Sequence, residues 1–564
     1  MDRHSDRLSD RLRLGRAAWV LAAAVPLAFL AIFFAWPVAA LVGRGFWTDG
    51  ALDLGGFAEV FSATRTWRII GITLGQAVAG TALSVLLGVP GAYVLYRCSF
   101  PGRTLLRGLV AVPFVLPTVV VGVAFRAVLA PDGPLGALGL DQTFAAIVLA
   151  LVFFNYSVVV RTVGGMWERL DPRAEQAARA LGASPARAFR TVTLPALTPA
   201  IASAASIVFL FCATAYGIVL VLGPTGYGTI ETEIYVQTTQ FLDLRAAAVL
   251  SVVQLVVVGA ALAVANRART RRERALALTS DRAVARPLRA RRDALPLAAT
   301  AVVVLGLLAM PLGTLLARSF REPDGGWGLA NYRNLSTTGD ANALSVTVWQ
   351  ATATSLRTAA LAALIAVVVG GLVALVVSRR PRAAGGRRAL RVLDSVFMLP
   401  LGVSAVTVGF GFLVTLDRPL GLDVDLRTSG LLVPIAQAVV AVPLVVRVLL
   451  PVLRAIDPRL REAAATLGAG PGRVLATIDA PVGARPLGLA IGFAFATSLG
   501  EFGATSFLAR PDSATLPVVI YRLIGRPGAG DYGMALAASV VLAVVTAAVM
   551  LVAEQLRGER TGEI

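Results

Sequence analysis

Lysine is absent from this chain: all 52 basic residues are arginine. A Walker A phosphate loop needs its lysine, so ATP binding of that kind is excluded, and so is Schiff-base chemistry. Histidine is reduced to His4 and cysteine to Cys98 and Cys212. These lie too far apart in sequence for a metal-ligand or redox spacing. Almost no material remains for metal-dependent hydrolysis or for Ser-His and Cys-His catalysis. No disulfide framework is expected, and Cys212, inside an apolar stretch, reads as a small buried side chain. Charge is scarce too. Only 15% of the 564 residues are charged and 57% are hydrophobic, where an average soluble domain carries about 25% charged residues.

Long apolar runs take the place of charge. Mean hydropathy is +0.75, and runs of about 18 residues or more, enough to cross a bilayer, recur throughout. The chain reads as all-α and polytopic. Twelve candidate spans fall at roughly 17–42, 72–96, 106–130, 143–165, 196–222, 244–265, 295–317, 353–378, 392–415, 430–452, 483–508 and 533–554. Several contain Gly or Pro, as in LLGVPGAYVLY (86–96), which membrane helices tolerate where neighbours satisfy the backbone. The first run exceeds a signal-peptide core and is expected to be a retained span.

A net charge of +19 would suggest nucleic acid in a soluble protein. Here it follows the loops, and no nucleic-acid partner is expected. Arg3, Arg7, Arg11, Arg13 and Arg16, then Arg97, Arg103 and Arg107, ten arginines from Arg267 to Arg292, and six from Arg379 to Arg391 share one face if the spans are twelve. The opposite loops carry Asp132 and Asp141, and Glu231, Glu233 and Asp243. The positive-inside rule places the arginine-rich loops and both termini in the cytoplasm.

Two polar interruptions on that face resemble each other. Residues 169–195 read RLDPRAEQAARALGASPARAFRTVTLP, and 455–481 read AIDPRLREAAATLGAGPGRVLATIDAP. The repeat extends further at the same offset: Arg161 matches Arg447, Gly217 matches Gly503, Thr229 matches Thr515, and Ile234-Tyr235 matches Ile520-Tyr521. Upstream the offset drifts by a few residues, pairing Gly88 with Gly370 and Leu116-Pro117 with Leu399-Pro400. The chain therefore reads as a tandem duplication: a first half at 1–265, a basic linker at 266–294 and a second half at 295–564. Halves with an even number of spans share one topology. Parallel repeats of this kind place a translocation path at their interface.

Each interruption has helix–turn–helix chemistry. Asp171-Pro172 and Asp457-Pro458 suit a helix start. Gly182 and Gly468 suit a left-handed C-cap, Ser184-Pro185 and Gly470-Pro471 open a second short helix, and Pro195 and Pro481 close it. Such a knob suits a cytoplasmic partner, whereas a single copy would serve as well as an amphipathic hairpin on anionic lipid.

This pattern resembles the EAA loop of permease subunits from binding-protein-dependent ABC importers. The second copy has Glu462-Ala463-Ala464, Gly468, Ile478 and Pro481, with Ala480 where leucine is expected. The first has Gln176-Ala177-Ala178, Gly182, Val192 and Leu194-Pro195, with its glutamate one position early at Glu175. One position is about 100° on a helix, so Glu175 need not replace the missing acid. The resemblance implies a type I, MetI-like fold of two tandem six-helix repeats in a bacterial inner membrane. It implies a docking loop for each of two cytoplasmic ABC ATPases, which carry ATP and Mg, while this chain holds no cofactor and no metal and is not itself an enzyme. It also implies an extracytoplasmic binding protein that delivers a small-molecule or ion substrate. Fused two-half permeases of this length resemble the ferric-iron and thiamine importer group. GTIETEIYVQTTQF (228–241) and SLGEFGATSFLARPDSATLPVVIYRLIG (498–525) lean toward thiamine.

Along the path, an ionisable residue inside a span is a functional hypothesis by default. Glu501 stands where the first half has Ala215, beside Tyr216. It would attract a cation, or else pair with an arginine or backbone. Asn155, Tyr156 and Gln254 either face the path or act as polar glue between helices. Glu231 and Glu233 read as solvated loop residues or contacts for a binding protein. A twelve-span transporter driven by an ion gradient is the alternative, but it needs no docking loops.

Overall fold

The computed structural model describes residues 21–558 except 49–50, 225, 271–284, 290, 380–383, 418, 420–422 and 424. The N-terminal arginines, Arg380, Arg382 and much of the basic linker lie outside the described residues. Among the described residues nine helices are long and apolar enough to cross a membrane: Leu21–Phe46, Thr64–Arg97, Phe144–Trp167, Pro185–Ala213, Leu244–Ala261, Ala294–Ser319, Val348–Val377, Leu432–Ala455 and Ala529–Ala553. Two further spans are bent pairs, which brings the count to eleven.

Four of the twelve expected spans, 106–130, 196–222, 392–415 and 483–508, are not continuous helices. The run expected at 106–130 is Arg103–Phe114 and Thr118–Leu129, turned by 102°. The run expected at 392–415 is Ala384–Met398 and Ala405–Thr415, with a 3-10 turn at Leu399–Gly402 between them. Pro113, Pro117 and Pro400 sit at these breaks. A proline removes a backbone donor and disfavours helix in the residue before it.

The described residues cluster into two compact units that do not follow chain order. One comprises Met1–Leu52, Ser336–Arg522 and Val541–Ile564; the other comprises Asp53–Leu335 and Leu523–Val540. The first helix of each sequence half therefore packs among helices of the other half. In one unit Leu30 and Phe34 are buried with Ala366, Val442 and Ala494. In the other, helix Ala294–Ser319 packs on Thr64–Arg97 and Thr118–Leu129. There Arg318 donates to the Ala127 carbonyl at 2.9 Å and pairs with Asp132.

Local geometry recurs between the halves. A Cβ at Gly88 would meet Val159 at 2.7 Å, and one at Gly370 would meet Val445 at 2.9 Å. Both glycines thus let a facing helix approach closely. Thr73 accepts from the Ile230 amide at 3.0 Å, and Ser355 accepts from the Leu516 amide at 2.7 Å. π-turns occupy Phe189–Thr193 and Leu475–Asp479. Trp47, Trp67, Trp327 and Trp349 are exposed, and Trp67 and Trp349 lie in the first turns of Thr64–Arg97 and Val348–Val377, as interfacial anchors do.

Candidate coupling loops and membrane path

In the first loop, Asp171 accepts from the Arg173 amide at 2.9 Å, opening helix Arg173–Ala180. The helix ends at Gly182, whose φ is +89°. Gly182 donates to the Arg179 carbonyl and Ala183 to that of Ala178, the paired bonds of a Schellman turn. Ser184 then accepts from the Arg187 amide at 3.3 Å and starts Pro185–Ala188. The second loop repeats the first helix and its turn, while Gly470 opens Pro471–Val474 without a side-chain cap. Asp457 caps Pro458–Thr466, Gly468 has φ +80°, and Ala469 donates to Ala464.

The expected closure at Pro195 and Pro481 does not occur. Pro185–Ala188, the π-turn and Leu194–Ala213 run on as the helix Pro185–Ala213. Pro195 and Pro481 stand in the first turn of the helices Leu194–Ala213 and Ala480–Leu499. There the missing amide costs little, because the π-turn has already displaced the ordinary bonding. Each return limb is thus the start of a membrane helix.

Gln176, Ala177, Gly182 and Pro195 are exposed, while Ala178 and Leu194 are half-buried. Glu462, Ala463, Gly468 and Pro481 are exposed, while Ala464 and Ile478 are half-buried. The sequence reading missed the two leucines before the turn glycines. Leu181 is 89% exposed and Leu467 is 88% exposed. The Schellman turn projects them outward, and a repeated apolar residue at a polar tip was the signal that could have found them.

Glu175 points a different way from the exposed Gln176 and Ala177. It is half-buried, and its Oε2 accepts from Thr193 Oγ1 at 3.0 Å. Its counterpart is Arg461, which donates to Asp479, the counterpart of Thr193, at 2.8 Å. This contact joins the two limbs of each loop.

Inside the membrane both halves break the helix that leaves the loop. Leu194–Ala213 stops before Gly217–Leu222, and Ala480–Leu499 stops before Thr505–Leu508. The freed backbone groups need partners, and the halves supply them differently. In the first, Gln76 donates to the Cys212 carbonyl at 2.9 Å and Gln254 to that of Ala213 at 3.2 Å. In the second, Glu501 accepts from the Ala504 and Thr505 amides at 2.7 and 3.0 Å and from Thr505 Oγ1 at 2.5 Å. Its oxygens are therefore engaged by the following turn.

Asn155 is fully buried and donates to the Leu151 carbonyl at 2.9 Å, a helix-packing position. Tyr216 packs on Tyr235 with ring centroids 5.7 Å apart, and Phe502 on Tyr521 at 5.5 Å. This aromatic pair recurs at the two breaks. Cys98 and Cys212 are both buried and free.

Glu231 and Glu233 are not solvated loop residues. They lie on helix Ile230–Thr239 and are 0% and 2% exposed. Gln254 donates to Glu231 at 2.9 Å, and Arg65 makes a two-point bond to Glu233 at 3.0 and 2.8 Å. A cavity of ≈ 160 Å³ opens beside this pair, lined in part by Glu59, Gln237, Asp243 and Arg245. A polar stretch between spans reads as a loop, but burial is affordable here because each carboxylate has a donor.

Residues 80–272 match the family model of the binding-protein-dependent transport system inner membrane component. The thiamine transport system permease protein of Escherichia coli (strain K12) is 29% identical over 83% of this chain and 85% of its own length. That of Brucella abortus (strain 2308) is 28% identical over 90% of this chain and 92% of its own. The sulfate transport system permease protein CysT of Salmonella typhimurium is 29% identical over 42% of this chain and 87% of its own length. Polytopic helices, a family match that spans the first loop and permease relatives aligned over most of their length support one reading: an inner-membrane permease component of a binding-protein-dependent ABC import system.

Proposed function

We propose that this permease imports thiamine and that each of its two loops docks one of two cytoplasmic ATPase subunits. The observation that carries the docking reading is the repeated loop itself, with one Schellman turn and one outward leucine in each copy. ATP binding and hydrolysis belong to the partner pair. Displacement of a docked loop enters the membrane directly, because the return limb continues into a membrane helix. Helix Phe144–Trp167 enters the first loop and Leu432–Ala455 the second, so both limbs are attached to spans. An extracytoplasmic binding protein delivers the substrate, and both termini lie on the cytoplasmic side.

Thiamine is favoured over ferric iron by relatives named for thiamine transport that match most of the chain. A ferric ion calls for hard anionic ligands, and Glu501 spends its oxygens on Ala504 and Thr505. The duplicated halves, 1–265 and 295–564, account for two docking loops in one chain.

Leu181→Asp and Leu467→Asp test the docking reading. Burying one leucine contributes about 1.5–3 kcal/mol, so each change weakens assembly with the ATPase by about tenfold or more. Co-purification and titration of the ATPase against the detergent-solubilised chain measure this. Unchanged affinity in both variants would contradict the docking reading.

A further inference from the structure

The base of each loop carries a contact that the docking residues do not explain. In the second loop it centres on Asp479, whose side chain is 0% exposed. Arg379 donates to its Oδ2 at 2.6 Å and Arg461 to its Oδ1 at 2.8 Å. Arg461 also donates to the Leu453 carbonyl at 3.2 Å. These groups come from four segments. Arg379 follows membrane helix Val348–Val377, Arg461 lies on the outgoing loop helix Pro458–Thr466, Asp479 ends the π-turn of the return limb, and Leu453 lies in the last turn of Leu432–Ala455. A buried carboxylate is tolerated only when paired, and losing one partner leaves an uncompensated charge. The docking helix therefore cannot shift without pulling on the ends of two membrane helices.

The first loop places the same parts in a different chemical order. Arg97 corresponds to Arg379 at the offset that relates Gly88 to Gly370. Glu175 and Thr193 correspond to Arg461 and Asp479. Thr193 donates to Glu175 at 3.0 Å, and Arg97 ends the membrane helix Thr64–Arg97. Each base thus holds one carboxylate bonded to a donor on the opposite limb, and in the second loop Arg379, which follows a membrane helix, bonds it as well. The acid sits on the outgoing limb in the first loop and on the return limb in the second. This also explains the early glutamate of the first loop: Glu175 occupies the inward position, one step from the exposed Gln176.

We propose that this carboxylate, Asp479 in one loop and Glu175 in the other, is a latch that carries displacement of the docked loop into the membrane helices. Asp479 and Glu175 are positioning residues that act through the loop. The proposal rests on the reading of the loops as ATPase docking sites.

The test uses the chain assembled with its ATPase subunits and binding protein in proteoliposomes. Assembly, ATP hydrolysis and thiamine uptake are measured for three forms: wild type, Asp479→Asn, and the double variant Arg461→Glu with Asp479→Thr. The double variant rebuilds the chemistry of the first loop around Arg379. Asp479→Asn should assemble normally and lose about tenfold in uptake per ATP hydrolysed, the scale of an ordinary coupling energy. The double variant should recover most of that loss, which a merely structural defect would not do. Normal uptake per ATP in Asp479→Asn would overturn the latch. So would loss of assembly in that variant, or a double variant as uncoupled as the single one. Failure of the wild-type chain to assemble with any ATPase would instead overturn the docking reading on which the latch stands.

Discussion

At the scale of single residues, neighbours decide what an ionisable group does. Glu501 was legible as a costly carboxylate inside an apolar run, but its orientation was not. Sequence does not say that the helix stops at Leu499 and leaves the Ala504 and Thr505 amides to be capped. Replacing it with glutamine turns one acceptor into a donor facing those amides. An unsatisfied buried group costs about 1–3 kcal/mol, so Glu501→Gln should lower the thermal unfolding midpoint. The Michaelis constant for thiamine in the folded protein should stay near wild type. Full stability with a selective loss of thiamine affinity would return Glu501 to the substrate. Glu231 and Glu233 follow the same rule: their burial depends on Gln254 and Arg65, distant in sequence, and only the fold shows those partners.

At the scale of elements, turn chemistry was the most readable part of the chain. Asp-Pro starts and Gly stops act within a few residues, and the caps form where the spacing predicts them. The proline stops failed because a π-turn precedes each proline and the helix runs on through it, an accommodation that composition does not reveal. Spans interrupted at Pro113, Pro117 and Pro400 read as single apolar runs for the same reason: hydropathy is blind to a turn of 102°.

The end of the basic linker is another short element with a checkable anchor. Arg286–Pro287 pairs in parallel with Cys98–Ser99. Asp293 accepts from Tyr93 Oη at 2.9 Å, from Arg286 at 2.6 Å and from the Arg289 amide at 3.0 Å. Burial, with the Asp293 carboxylate nearby, pushes the Cys98 thiol up to about 11. A raised thiol value keeps the neutral form dominant at neutral pH. At pH 8 Cys98 should hold about a hundredfold less thiolate than an ordinary thiol, and it should label with maleimide only slowly. Asp293→Ala removes the anchor and should accelerate labelling at that pH. Equal rates in the two proteins would show that the anchor does not cover Cys98.

At the scale of the whole molecule, the duplication was legible because both copies keep their turn residues and spacing. The composition of the compact units was not. That Leu30 and Phe34 are buried with the second half's helices depends on packing between segments hundreds of residues apart, and hydropathy alone assigns the first helix to its neighbours in sequence. The absence of lysine excludes a Walker A loop in this chain, which makes energy supply the whole-molecule question. The most direct measurement is thiamine uptake into proteoliposomes holding the purified chain, with and without its ATPase subunits, ATP and binding protein. The account predicts uptake only when all three are present, and no effect of a protonophore or of sodium removal. Thiamine accumulation by the chain alone under an imposed ion gradient would contradict it.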